Sequence, residues 1–223
     1  MKKIIFLLIC CLLAVNVFAA SSTQQIEKIT QFYGERAGKR AIAWRALIKD
    51  SQHLTERQKL NATNTFFNQF VFISDKKLWN HKDYWATSYE FVGIGAGDCE
   101  DFSIAKYQAL LELGINDNKL RLVYAKDLEL NQFHMVVAYY PKPSAIPLIL
   151  DNLNGNILPA NQRNDLLPIY SFNGNKLWLV KQKGQEQIAG KASRLSLWND
   201  LRNRSKNIKL NQPRYTFLIG KLQ

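Results

Sequence analysis

The sequence predicts an α+β domain in which N-terminal helices pack on a largely antiparallel sheet. Apolar residues recur every three or four positions through the first half of the chain, while the second half carries short runs rich in Val, Ile, Tyr and Phe. Helices first and strands afterwards is the order of an α+β fold, not of alternating βαβ units. The composition, 47% hydrophobic and 22% charged over 223 residues, is that of an ordinary globular chain. It excludes collagen-like, disordered and coiled-coil classes and suits one compact domain with or without an appendage.

Residues Thr23 to Asp50 read as one helix, with Ile26, Ile29, Tyr33, Ala37 and Ala41 on its apolar stripe. A second helix starts at Thr55, with Gln58 three residues on as its capping-box partner, and turns Leu60, Phe67 and Phe70 inward. An aromatic-rich connection follows through Trp79, Tyr84, Trp85, Tyr89 and Phe91. Such residues mostly pack in cores, though they can also line a groove, and Trp85 is a candidate for that. Gly93, Gly95 and Gly97 interrupt this stretch. The next helix opens at Asp98-Cys99-Glu100-Asp101, buries Phe102, Ala105, Leu110 and Leu113, and stops at Gly114.

Strand signals then dominate: Leu120 to Ala125, Phe133 to Tyr140, Ile146 to Leu150, Lys176 to Val180 and Tyr215 to Ile219, with Asn173-Gly174 as a tight turn. From Lys181 to Gln223 the chain carries ten Lys or Arg against Glu186 and Asp200, which reads as a solvated, partly helical basic extension ending in a strand. The expected organisation is therefore a leader over residues 1–20, a domain over 21–180 and an extension over 181–223.

The leader follows from the first twenty residues. Lys2 and Lys3 precede the apolar run Ile4 to Val15, and small residues end it at Ala19-Ala20. This is the layout of a cleavable secretory signal, cut after Ala19 or Ala20. The run is shorter than the roughly 20 residues of a membrane span, and no later stretch approaches that length. Removal of Lys2 and Lys3 lowers the formal charge from +12 by two, to +10. A basic exported protein suits an anionic partner, but no nucleic-acid motif is present, so nucleic acid is not expected as one. Of three cysteines, Cys10 and Cys11 leave with the leader, and a lone Cys99 cannot form an internal disulfide.

Cys99 can be an inert buried thiol, a common fate. It also opens a helix after a glycine-rich turn, where unpaired N–H groups and the helix dipole favour a thiolate and an oxyanion. A nucleophilic thiol needs a base. Of the three histidines, His53 and His81 lie in polar stretches and read as surface. His134 begins the run His134-Met135-Val136-Val137-Ala138. A strand histidine is often a hydrogen-bonded core residue, yet paired with a candidate thiol in an exported chain it reads as a catalyst. Asp151 ends the next apolar run; it can simply make a turn, or orient the imidazole if its strand lies beside that of His134.

These residues carry a resemblance. Gly95-Ala96-Gly97-Asp98-Cys99-Glu100-Asp101, His134-Met135-Val136, Leu150-Asp151-Asn152-Leu153, Asp83-Tyr84-Trp85-Ala86-Thr87 and Tyr170-Ser171-Phe172-Asn173-Gly174 together resemble the bacterial transglutaminase-like cysteine proteinases, whose LapG-type members are periplasmic proteases that clip large surface adhesins. The similarity runs from about Leu54 to Val180, with Ser88 standing where family members often carry proline. It implies a papain/transglutaminase-like fold with Cys99 as nucleophile, His134 as general base and acid, and Asp151 as the orienting carboxylate. It also implies two partners: a large adhesin, cut near its N-terminal region, and the periplasmic domain of an inner-membrane cyclic-di-GMP receptor that sequesters the protease.

Asp98, Glu100 and Asp101 set three negative charges beside a residue that must itself become an anion. Helix capping accounts for them only in part. A bound cation relieves the repulsion, and hard carboxylate oxygens suit Ca²⁺. The resemblance independently implies calcium dependence through Asp98 and Glu100, with Asp101 the weaker candidate ligand. The same residue chemistry serves a transglutaminase or a deamidase, and an inactive exported binding domain is the non-enzymatic alternative.

Overall fold

The computed structural model describes residues 22–180 and 186–214. The expected leader and the expected strand Tyr215 to Ile219 lie outside the described residues. Residues 22–33 form helix α1, and the chain turns at Gly34, with φ +91°, into α2 (Glu35–Asp50). The single helix expected over Thr23 to Asp50 is therefore two, because that backbone angle is left-handed and ends one helix before the next begins. Helix α2 buries Ala37, Ala41, Trp44 and Ile48. Helix α3 (Glu56–Phe67) begins as expected. Gln58 N–H donates to Thr55 Oγ1 at 3.4 Å and Thr55 N–H to Gln58 Oε1 at 3.0 Å, and Leu60 and Phe67 are fully buried.

The aromatic connection is more ordered than the sequence suggested. It holds strand β1 (Val71–Phe72), helix α4 (Asp75–Leu78), helix α5 (Ser88–Ile94) and strand β2 (Ala96–Gly97), with β1 and β2 parallel. A second capping box, between Thr87 and Glu90, starts α5. Helix α6 (Cys99–Glu112) runs into the domain centre and ends before Gly114, where Ile115 N–H returns to Leu110 O at 3.0 Å.

The remaining strands are β3 (Leu120–Asp127), β4 (Gln132–Tyr139), β5 (Leu148–Leu150), β6 (Leu158–Pro159), β7 (Leu166–Phe172), β8 (Lys176–Val180) and β9 (Glu186–Lys191). They form one seven-stranded sheet in the order β6-β5-β4-β3-β7-β8-β9, with every neighbouring pair antiparallel. One face packs Leu122, Met135, Val137, Leu150 and Phe172 into the main core with Phe102, Ala105, Ala109 and Leu110 of α6. Each fully buried large apolar side chain there contributes roughly 1.5–3 kcal/mol. On the opposite face Val123, Val136, Ala138 and Ile149 form a smaller cluster. Strand β7 escapes a sequence reading because Pro168 interrupts it, at the point where its register with β3 shifts.

The view of the basic C-terminal segment as a solvated extension is corrected for residues 186–214. Strand β9 pairs with β8, and helix α7 (Ser196–Asn207) buries Trp198 and Leu201 in the main core. Arg204 of α7 donates to the fully buried Glu90 at 2.6 Å and to the Trp85 carbonyl, and also binds Asp200 at 2.7 Å. Asn211 N–H reaches Glu90 at 3.0 Å. The segment's charge is thus partly internal, and its amphipathic helix closes the core next to α5.

Two stability predictions follow from these buried charges. Arg204→Ala leaves the Glu90 carboxylate buried without its cation and is expected to cost about 3–5 kcal/mol in urea unfolding; an unchanged midpoint counts against the pairing. Lys106 of α6 is buried at 1% exposure, and burial pushes its amine from an ordinary 10.5 down to about 7, with Asp151 pulling the other way. Between those two values the unfolded chain holds a proton that the folded chain lacks, so this group makes stability rise with pH from about 7 to 10.5. Lys106→Met is expected to flatten that rise in pH-dependent denaturation curves.

Candidate active site

Cys99 sits at the first position of α6, and the turn before it is held by one carboxylate. Asp101 Oδ2 accepts from Asp98 N–H at 3.2 Å and its Oδ1 accepts from Ala86 N–H at 2.7 Å. A Cβ on Gly97 would lie 2.4 Å from Asp101 Oδ2, so only glycine allows the strand to pass this closely. Asp101 is fully buried with both oxygens committed to backbone. It is a framework residue, and the expectation that it contributes weakly to a metal site gives way to that role.

Strand β4 brings His134 to the same place. Ser103 Oγ of α6 donates to the Met135 carbonyl at 2.8 Å, which ties this strand to the helix that carries Cys99. The antiparallel pairing of Val137 with Leu150 sets β5 beside β4, so Asp151, just past β5, reaches the imidazole. His134 Nε2 lies 2.7 Å from Asp151 Oδ1, with His134 2% and Asp151 1% exposed. Burial alone raises the Asp151 carboxyl, but hydrogen bonds from His134, Leu153 N–H and Arg163 outweigh it and hold the group down to about 2. An ionised Asp151 fixes Nε2 as the protonated ring nitrogen and leaves Nδ1 for another partner.

Cys99 and His134 line one open cavity of about 550 Å³, with Trp85, Tyr124, Phe133 and Tyr170 among its walls. Phe133, Tyr124 and Tyr170 stack in succession across three strands at 5.3 and 5.0 Å, and Trp85 stacks on Phe172 at 5.7 Å. Trp85 therefore serves both uses foreseen for it, core and wall. His53 and His81 are exposed, as expected, and neither lines this cavity.

Asp98 and Glu100 flank the thiol and are joined by Asp75, which the sequence did not single out. Carboxylate oxygens of these three lie within 4.8 Å of one another. Asp75 N–H donates to Asp98 Oδ2 at 3.0 Å and Tyr84 N–H to Asp75 Oδ2 at 2.5 Å, while the other oxygen of each, Asp75 Oδ1 and Asp98 Oδ1, is buried with no hydrogen-bond partner. Burial, then the neighbouring carboxylates, push Asp75 up to about 7 and Asp98 up to about 8. The thiol donates to Glu100 Oε2 at 3.0 Å, and burial followed by Glu100 raises it well above its usual value. Orphaned, convergent, hard oxygens of this kind fit a Ca²⁺ ion, with Asp75, Asp98 and Glu100 as the residues that would hold it.

Asp75 lies 23 positions before Asp98 and carries no local signal of its role. Arg163, in the loop between β6 and β7, was likewise not foreseen; it binds Asp151 Oδ2 at 2.7 Å and is 4% exposed.

A family model of bacterial transglutaminase-like cysteine proteinases matches residues 31–179. LapG of Legionella pneumophila superimposes with a TM-score of 0.72 at 41% identity over 82% of this chain and 96% of its own. Its EGTA-treated form matches at TM-score 0.72 and 40% identity, over 81% of this chain and 97% of its own, and its calcium-bound form at 0.70 and 41% over the same shares. No curated protein matches the chain. Among the described residues no helix is long and apolar enough to cross a membrane. The mixed helices and antiparallel sheet are those of a transglutaminase-like fold. With Cys99 and His134 on one cavity, Asp151 bound to the imidazole behind it, and the family match covering well over half its length, this chain belongs to the bacterial transglutaminase-like cysteine proteinases and is a LapG-type cysteine protease.

Proposed function

We propose that this protease is a calcium-dependent periplasmic endopeptidase that cuts the N-terminal region of a large surface adhesin, releases it from the cell and so promotes biofilm dispersal. Cys99 is its nucleophile, His134 its general base and acid, and Asp151 the carboxylate that orients the imidazole. The observation that carries the reading is the shared cavity: Cys99 at the start of α6 and His134 on β4 line the same space. Periplasmic placement rests on the leader-like first twenty residues, and the adhesin and the cyclic-di-GMP receptor that withholds the protease rest on the family resemblance.

In this mechanism His134 Nδ1 takes the thiol proton, and the sulfur attacks the scissile carbonyl carbon. The carbonyl electron pair moves to oxygen, and amide N–H groups at the start of α6 stabilise the oxyanion. Collapse breaks the C–N bond, and the imidazolium gives its proton to the leaving amine. Water, deprotonated by His134, then attacks the thioester; the acid product leaves and the thiol regains a proton. Asp151 stays ionised throughout and holds Nε2–H. A Ca²⁺ ion on Asp75, Asp98 and Glu100 would supply positive charge against the carboxylates that crowd the thiol.

Two outcomes test this. Cys99→Ala is expected to lower cleavage of an exported adhesin at least about a thousandfold while leaving substrate binding intact; residual turnover by the purified variant counts against the assignment. Excess EGTA is expected to abolish cleavage and added Ca²⁺ to restore it, whereas full activity at vanishing free Ca²⁺ removes the metal from the proposal. Mass spectrometry of the product separates a chain cut from a cross-link or a one-dalton deamidation.

A further inference from the structure

Arg163 follows the short turn Ala160–Gln162 and is a buried cation with two acidic partners. Its Nη2–H donates to Asp151 Oδ2 at 2.7 Å, and its Nε and Nη2 grip Asp165 Oδ1 and Oδ2 at 2.9 and 2.6 Å. Asp151 Oδ1 meanwhile meets His134 Nε2 at 2.7 Å and accepts from Leu153 N–H at 3.0 Å. Both oxygens of Asp151 are therefore held, from opposite sides, by groups on different segments. A carboxylate gripped only by the imidazole and one amide is free to rotate about its last bond; the guanidinium removes that freedom.

We propose that Arg163 is a positioning residue for His134, with Asp165 fixing Arg163, Arg163 fixing Asp151 and Asp151 fixing the imidazole ring. This rests on the catalytic reading of His134 and Asp151. The planar fork matters as well as the charge, because a single ammonium on a flexible stem cannot bind Asp151 and both oxygens of Asp165 in one geometry.

Several other charged or titratable groups surround this pair. Lys106 faces Asp151 from α6, and Asp165 lies behind Arg163. Cys99 and Glu100 at the start of α6, with Lys82 and Asp83, line the cavity on the other side. Changing Arg163 leaves all of them in place, so a change in the His134 ring signals reports the arginine.

The test compares Arg163→Gln and Arg163→Lys in the full chain. With only three histidines, two of them exposed, imidazole NMR resolves His134. Arg163→Gln is expected to move the His134 ring signals, as a reoriented imidazole does, and Arg163→Lys to move them less. Both variants are expected to lower kcat by about 10- to 100-fold with KM within twofold, lysine less than glutamine. A folded Arg163→Gln protein with native kcat and unmoved His134 ring signals overturns the proposal. Should glutamine prevent folding, Arg163→Lys decides: native kcat overturns it, and reduced kcat at unchanged KM supports it. If Cys99→Ala or His134→Ala still cleaves, the catalytic reading itself has failed; if both are inactive while the Arg163 variants match the native enzyme, only this inference has.

Discussion

The site depends on the seam between helix α6 and strand β4. Ser103 grips the Met135 carbonyl, and Phe102, Ala105, Met135 and Val137 share the core behind it. A thiol on a helix and an imidazole on a strand otherwise have no reason to hold a fixed distance. Here the backbone of the residue next to His134 is bonded from the helix that carries Cys99. Apolar packing supplies most of the energy and the Ser103 contact helps set the register. Asp101 extends the lock to a third segment by holding Ala86 N–H, which places the Trp85 wall against the same helix end.

Two aspartates beside this seam, one buried and one half-buried, show how partners, not residue type, set ionisation. Asp151 has an imidazole, an amide and a guanidinium, and is held down to about 2. Asp98 is also largely enclosed, but its nearest charges are carboxylates, and it rises to about 8. One group is a finished anion within a satisfied network; the other is an unfinished one, with Asp98 Oδ1 and Asp75 Oδ1 left without partners. Buried polar atoms are rarely left so in pairs pointing into one small space. The His134–Asp151 half of the site is satisfied from the chain alone, whereas the carboxylate half has the form of a receptor for a cation.

Local signals were legible where the physics is local. The Thr55–Gln58 box, the helix opening at Asp98, its stop at Gly114 and the turn at Asn173-Gly174 all stand where the sequence put them, because each needs only a few adjacent residues. Helix α5 announces itself in the same way, through Thr87 and Glu90, and Ser88 occupies the first helical position, where proline is favoured and serine is tolerated. The break at Gly34 is one glycine inside an unbroken apolar period, and Pro168 hides β7 although the bulge there accommodates it. Asp75 and Arg163 were not legible at all. Their roles come from chain segments that meet only in the fold, and nothing in Ser74-Asp75 or Arg163-Asn164-Asp165 points to a distant partner.

The basic composition understates how positive the exterior is. Among the described residues the buried acids are Asp75, Glu90, Asp101, Asp127 and Asp151, while the buried cations are Lys106, Arg163 and Arg204. Among the described residues more negative than positive charge has thus been withdrawn from the surface, so their solvent-facing side chains carry a larger positive excess than those same residues sum to. A Ca²⁺ ion on Asp75, Asp98 and Glu100 would add to that excess at the mouth of the cavity. A positive exterior attracts anionic groups at long range, with screening set by ionic strength. The cavity that holds Cys99 is walled by stacked aromatic rings, which offer apolar contact instead. Under the proposed endopeptidase reading, charge serves approach and the aromatic walls serve retention.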